Sequence, residues 1–194
     1  MKISIAIPIH NMANKEFFLK RCIDSIEKQS FRDFEIVITE EGKMAENTNA
    51  AIKKCTGDII KVLYMDDYLA HDNSLMDIVN NWEDGWLVTG CNHDNGIIKY
   101  NNHLPSYVGI PNGQNTIGSP SILAFENKNP LLFDEELSWM LDVDLYVRLY
   151  KRYGLPTFLN TINVTMGIGS HQMTNILTSQ DKEKELNYFI KKYG

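Results

Sequence analysis

No stretch of this sequence reaches the run of about 18 apolar residues that a membrane-spanning helix requires, so it reads as a chain that folds in water. Basic residues are in deficit too: 19 Lys and Arg face 25 Asp and Glu, a net charge of −6. A protein that grips a nucleic-acid backbone carries a basic stripe, so that class of partner is excluded. Cysteine is scarce, with Cys22, Cys55 and Cys91 far apart, odd in number and never in a CxxC pair. Neither a disulfide framework nor a structural zinc site fits that spacing. A reducing, cytoplasmic setting fits it best, with a membrane surface reached only through a substrate or partner. Internal repeats and low-complexity tracts are also missing. The opening Met1 to Pro8 has too short an apolar run for a secretion signal and no small-residue cleavage site after it. It reads as a strand.

What is present suffices for one real core. The chain has 194 residues, of which 43% are hydrophobic and 23% charged, the balance of a single globular domain with at most a small extension. Oligomeric state stays open. Strand-like and helical periodicities alternate through the first third. Ile3 to Ile9 is β-branched and almost wholly apolar, the pattern of a strand buried on both faces. Phe18, Cys22, Ile23 and Ile26 recur at helical spacing within a helix predicted over 15–29. Phe34 to Thr39 is the second strand, 45–55 a short helix and Ile59 to Met65 the third strand. Such alternation predicts parallel βαβ units in an α/β fold, with no extra strand between Gly42 and Asp58.

The second half is less regular. A helix is predicted over 74–82, strands at 86–90, 97–100 and 121–125, and a polar Asn, Pro and Gly-rich loop over 101–119. The strongest helix runs from Glu136 to Tyr153 and stops at Gly154.

The most informative stretch is Tyr64-Met65-Asp66-Asp67, which closes the third strand. It brings two carboxylates to the rim of a sheet, where open α/β folds bind ligands. Hard oxygen ligands beside a substrate's phosphates suit Mg²⁺ or Mn²⁺. The plainer alternative is a turn that happens to begin with Asp.

Taken together, several segments resemble a family 2 glycosyltransferase of the GT-A fold. Ile3 to Asn11 resembles that family's opening strand and its Pro-x-(Tyr/His)-Asn loop. Leu19 to Ile26 with Gln29-Ser30-Phe31 resembles its first helix and the turn beyond. Glu40-Glu41-Gly42 stands where the family ends a strand in Asp-Asp-Gly-Ser, and 59–67 matches its Asp-x-Asp strand. Phe133-Asp134-Glu135 and Asp142-Val143-Asp144-Leu145 resemble its acceptor-side motif. The resemblance spans about residues 3–172. It implies a Rossmann-like single domain over 1–175, with a nucleotide-binding half (1–67), an acceptor half (68–175) and a helical extension over 176–194. The central sheet is expected to be mostly parallel and trimmed on the nucleotide side, because the stretch from Glu41 to Asp66 is short for the family.

What the resemblance implies chemically is inverting transfer of a sugar from a nucleotide diphosphate sugar to an acceptor hydroxyl, as in polysaccharide biosynthesis. It assigns Mn²⁺ or Mg²⁺ to Asp67, with Asp66 and His171 beside it. It puts Pro8, Ile9, His10, Asn11, Glu40, Asn49 and Asp66 around the nucleotide sugar. It makes Asp142 the general base, with Asp144 its nearest competitor. The sequence also departs from the family: Glu40-Glu41 replaces an Asp pair, Lys43 a Ser, and Leu141 a common Glu. Those departures keep open a non-catalytic module that binds nucleotide or a partner. Tyr-Met-Asp-Asp also occurs in reverse transcriptases, but the acidic charge argues against one. A sugar nucleotidyltransferase would need a Gly-rich, basic phosphate loop near the N-terminus, and none is there.

Overall fold

A computed structural model describes all 194 residues. The first half forms β1 (Ile3–Pro8), α1 (Lys15–Glu27), β2 (Phe34–Thr39), α2 (Met44–Lys54), β3 (Ile59–Val62), β4 (Tyr68–Leu69) and α3 (Ser74–Asn80). Then follow β5 (Trp86–Asp94), β6 (Lys99–His103), β7 (Leu123–Glu126), α4 (Leu141–Tyr153), β8 (Thr157–Gly167), α5 (Met173–Ile176) and α6 (Ser179–Tyr193). The sheet order is β2-β1-β3-β7-β5-β8-β4, with β6 attached to β5. β1 pairs in parallel with both β2 and β3, Ile3 lying opposite Phe34 on one side and Ile59 on the other. β7 is antiparallel to β3 and β5, β8 is parallel to β5, and β4 runs against β8. It follows that β1, β2, β3, β5 and β8 all point the same way. Their carboxyl ends share one rim.

Burial explains why β1 sits between neighbours. All six of its residues are buried, so a side exposed to water would waste its apolar face. α2 is the single regular element between Gly42 and Asp58, and β2 is the free edge of the nucleotide half. One cluster of 38 buried apolar side chains runs from Ile3 to Phe189, which makes α6 part of the same core. Burying a Phe of this kind contributes roughly 1.5–3 kcal/mol, enough to fasten α6 to the body.

Several predicted boundaries move, each for a local reason. α4 starts at Leu141 instead of Glu136: Asp134 caps a separate turn through Glu136 N–H, and the N–H groups of Ser138, Trp139 and Met140 go to Glu185. β3 stops at Val62 because the hydroxyl of Ser121 takes the N–H of Tyr64 and turns the chain off the ladder. The hairpin strand β6 begins two residues late. Asn95 folds its side chain onto the N–H groups of Ile97 and Ile98, making a tight turn with Gly96 at φ 87°. The predicted strand over 121–125 is a 3₁₀ turn, Pro120–Ile122, followed by β7. The long loop is partly structured, with β6 at its start and a second 3₁₀ turn at Ile110–Asn112.

Candidate active site

The shared rim opens into a cleft of about 590 Å³. Pro8 and His10 enter it from the end of β1, Lys43, Met44 and Asn47 from the start of α2, and Tyr64, Asp66 and Asp67 from the end of β3. Trp139, Met140 and Asp142 approach from the start of α4, with Asn115 beside them. Gly167 at the end of β8 and His171 beyond it close the cleft. Six of the sequence-predicted residues therefore meet here: Pro8, His10, Asp66, Asp67, Asp142 and His171.

The two adjacent aspartates play different parts. Asp67 is 3% exposed, and its carboxylate accepts the N–H of Gly167 at 2.8 Å. Burial, then the neighbouring Asp66 charge, pushes its pKa well above the ordinary carboxylate value. Asp66 instead faces the cleft and meets Nε2 of His171 at 2.8 Å through Oδ2. That hydrogen bond raises the His171 pKa. Arg21 fixes the same turn from behind, donating to the Asp66 carbonyl at 2.7 Å and pairing with Asp94 at 3.1 Å. Gly167 is required by contact: a Cβ there would lie 2.3 Å from the Asp66 carbonyl oxygen. The resemblance put the metal on Asp67. Asp66, Asp67 and His171, the three residues the resemblance put at a metal, all line the cleft.

The adjacent Asp66 and Asp67 carboxylates are of the kind that holds Mg²⁺ or Mn²⁺ through few protein ligands with phosphate oxygens and water completing the shell, and Nε2 of His171 would join them only by giving up its hydrogen bond to Asp66. No cluster of three or more His, Cys, Asp or Glu side chains forms a full metal cage.

Asp142, in the first turn of α4, lines the same cleft. Oδ1 accepts the N–H of Val143 at 2.7 Å and Oδ2 the amide of Asn115 at 2.6 Å. Asn115 is locked in turn by both backbone groups of Gly118. Burial dominates the electrostatics and lifts the Asp142 pKa to about 7, helped by the charge of Glu185 and opposed by backbone hydrogen bonds. Between the aspartates, the hydroxyl of Tyr64 is buried without a hydrogen-bond partner.

The remaining predicted residues lie elsewhere. Asp144 is fully buried on the far side of α4, held by Arg148 at 2.6 Å, Lys192 at 2.7 Å and Tyr193 at 2.5 Å. Its surroundings are those of a structural anion. Asn49 is buried and bridges α2 to the Phe133 backbone, donating at 2.9 Å and accepting at 2.7 Å. Ile9 packs on the core while its carbonyl receives the Asn47 amide. Asn11 is exposed, and Glu40 is turned outward to Lys15. None of these five lines the cleft. Asn47 and Asn115 carry no motif, so sequence alone had no signal for them; Tyr64 and Arg21 lie within segments already singled out, though neither was read as a site residue. Trp139, one turn before Asp142, did carry one: an aromatic near a predicted base.

No protein-family model and no curated protein sequence matches this chain. Solved structures do. Residues 1–349 of S. aureus TarS in complex with UDP align with a TM-score of 0.66 at 16% identity, over 98% of this chain and 71% of that one. The same protein in complex with UDP-GlcNAc gives 0.68 at 17% identity, over 96% of this chain and 64% of that one. The mannosyltransferase PcManGT from Pyrobaculum calidifontis, in complex with GDP-Man and Mn²⁺, gives 0.60 at 13% identity, over 88% and 57%. This chain therefore has a GT-A-like glycosyltransferase fold.

Proposed function

We propose that this chain is an inverting glycosyltransferase of the family 2 type, moving a sugar from a nucleotide diphosphate sugar to an acceptor hydroxyl. One observation carries the reading. A single cleft at the carboxyl ends of parallel strands is lined both by an Asp66–His171 pair and by a carboxylate with pKa near 7, Asp142.

Inversion needs the leaving diphosphate and the base on opposite faces of the sugar, and this reading assigns Asp66 to the first and Asp142 to the second. The acceptor oxygen forms a bond to the anomeric carbon as the bond from that carbon to the diphosphate oxygen breaks. Asp142 takes the acceptor's proton, and a base with pKa near the working pH suits that step. Asp66 and Asp67, with His171 beside them, would hold the divalent ion, which as a Lewis acid would offset charge growing on the diphosphate. Pro8, His10, Lys43 and Asn47 border the nucleoside end. The unpaired Tyr64 hydroxyl offers a hydrogen bond to the sugar, since a buried polar group without a partner is costly until a ligand supplies one.

Thermal shift of the purified protein with UDP-GlcNAc and GDP-Man, with and without Mn²⁺, tests the donor reading. Stabilisation by a nucleotide sugar that grows with Mn²⁺, together with slow donor hydrolysis, supports the enzyme. Stabilisation without hydrolysis or transfer to any acceptor would favour a nucleotide-binding module. No stabilisation at all would refute donor binding.

A further inference from the structure

α6 meets the start of α4 through one side chain. The Glu185 carboxylate accepts three consecutive backbone N–H groups, from Ser138 at 3.0 Å and from Trp139 and Met140 at 2.8 Å each. Immediately downstream, Asp142 accepts the N–H of Val143 at 2.7 Å. Two carboxylates thus serve successive parts of one helix start, Glu185 the turn that enters it and Asp142 its first turn. A carboxylate alone at such an end is stabilised as an anion by the helix dipole and free N–H groups. Glu185 takes the three N–H groups that lead into the helix and brings its own negative charge to that end.

We infer that Glu185 is a positioning residue for Asp142: it fixes the turn that aims this carboxylate into the cleft and offsets the positive helix end that would otherwise stabilise its anion. Glu185 does not line the cleft, so it acts only through Asp142. α6 is independently anchored by Phe189 in the core, by Lys192 on Asp134 and Asp144, and by Tyr188 on Asp134 at 2.9 Å. Removing the Glu185 charge should therefore leave the helix in place.

Other groups around Asp142 do not substitute for it. Tyr64 and Tyr146 pack beside it, and burial raises both phenols, so they stay neutral at working pH. Asp66, His171 and Lys43 line the same cleft without a hydrogen bond to Asp142, whose partners are Val143 and Asn115. Of the neighbouring charges, Glu185 is the one that raises the Asp142 pKa.

This inference rests on the proposed base role, and its test separates the two. The full chain, with carboxyl ¹³C-labelled aspartate, is titrated by NMR as wild type, Glu185→Gln and Glu185→Asp, with Asp142→Asn identifying the resonance. In Glu185→Gln the Asp142 midpoint should fall by on the order of one unit, the scale of one nearby charge. In Glu185→Asp, which keeps the charge, it should stay within a few tenths of a unit of wild type. The acid limb of the transfer-rate profile should move with the midpoint in Glu185→Gln, with kcat reduced and donor KM unchanged. In an Asp142→Asn background the same substitution should leave the residual rate unaltered. An unmoved midpoint in folded Glu185→Gln overturns the inference, as does a rate loss that comes with weaker donor binding and no shift along the pH axis. A wild type without transfer activity would overturn the proposed function, and the NMR titration alone would then decide the coupling.

Discussion

Asp142 and Asp144 sit two residues apart on α4, about 200° around the helix, and meet opposite surroundings. Asp142 opens onto the cleft with an amide and one backbone N–H. Asp144 is sealed under Arg148, Lys192 and Tyr193. Asp142→Asn should therefore cost transfer roughly 10²–10⁴-fold in kcat while the donor dissociation constant, measured by calorimetry, holds. Asp144→Asn should instead lower the unfolding free energy by about 3–5 kcal/mol in urea titration, the scale for breaking a buried ion pair, because two cations lose their counter-charge. Its folded fraction should keep most of its kcat. The pH dependence has a defined sign. Asp142 titrates near 7 when folded and near 4 when unfolded, so the fold favours its protonated form. Activity should climb through about pH 7 as the base ionises. The stability contributed by this residue should be full below about pH 4 and lost as pH rises through 7. Melting curves should accordingly show Asp142→Asn gaining on wild type at pH 8 and not at pH 4. At this scale the sequence was legible where chemistry is written into a motif: the Asp66-Asp67 pair, Asp142 and His171 all reached one cleft. Asn49, Glu40, Asn11 and Ile9 did not, because neighbours chosen by the fold claimed their side chains or turned them away.

Elements with a clean period were read well. β2 has the bounds its apolar run implies, and the βαβαβ start has the order β2-β1-β3 with only α2 in the short connection. β8 had no such signature. Its Asn160 and Thr161 are exposed where the pairing with β5 shifts register, while Asn163 is buried by hydrogen bonds to Ser74 and His71. Polar residues in a strand that bulges defeat a period-two reading. The end of this strand also carries a sharp requirement. Gly167→Ala would drive a methyl into the Asp66 carbonyl and displace the turn that bears both carboxylates. Mn²⁺-dependent stabilisation by a nucleotide sugar should then disappear, with the far-UV spectrum retained. An unchanged Mn²⁺ effect in Gly167→Ala would show that the turn tolerates the shift.

For the whole molecule, a shared fold at 13–17% identity means that the architecture survives almost complete replacement of its side chains. In this chain the architecture is filled by a packed core of 38 apolar residues. The residues after β8 belong to it less. α5 buries none of its residues, and this segment, which lines the cleft through His171 to Thr174, is tied to the body chiefly by His171 on Asp66, a contact bridging 105 positions of chain, and by Ile168 N–H on the Asp94 carbonyl. A piece held by so few contacts opens at lower free energy than the sheet it covers. Heat should therefore silence the molecule before it melts: the midpoint for activity loss should lie several degrees below that for loss of ellipticity, and bound nucleotide should close the gap. Amide exchange would register the same event as rapid labelling of 168–177 against slow labelling of β1, β3 and β5. Catalytic lifetime is then set by how often one short segment lets go, and a linker substitution that stiffens residues 168–177 would prolong it without touching either carboxylate.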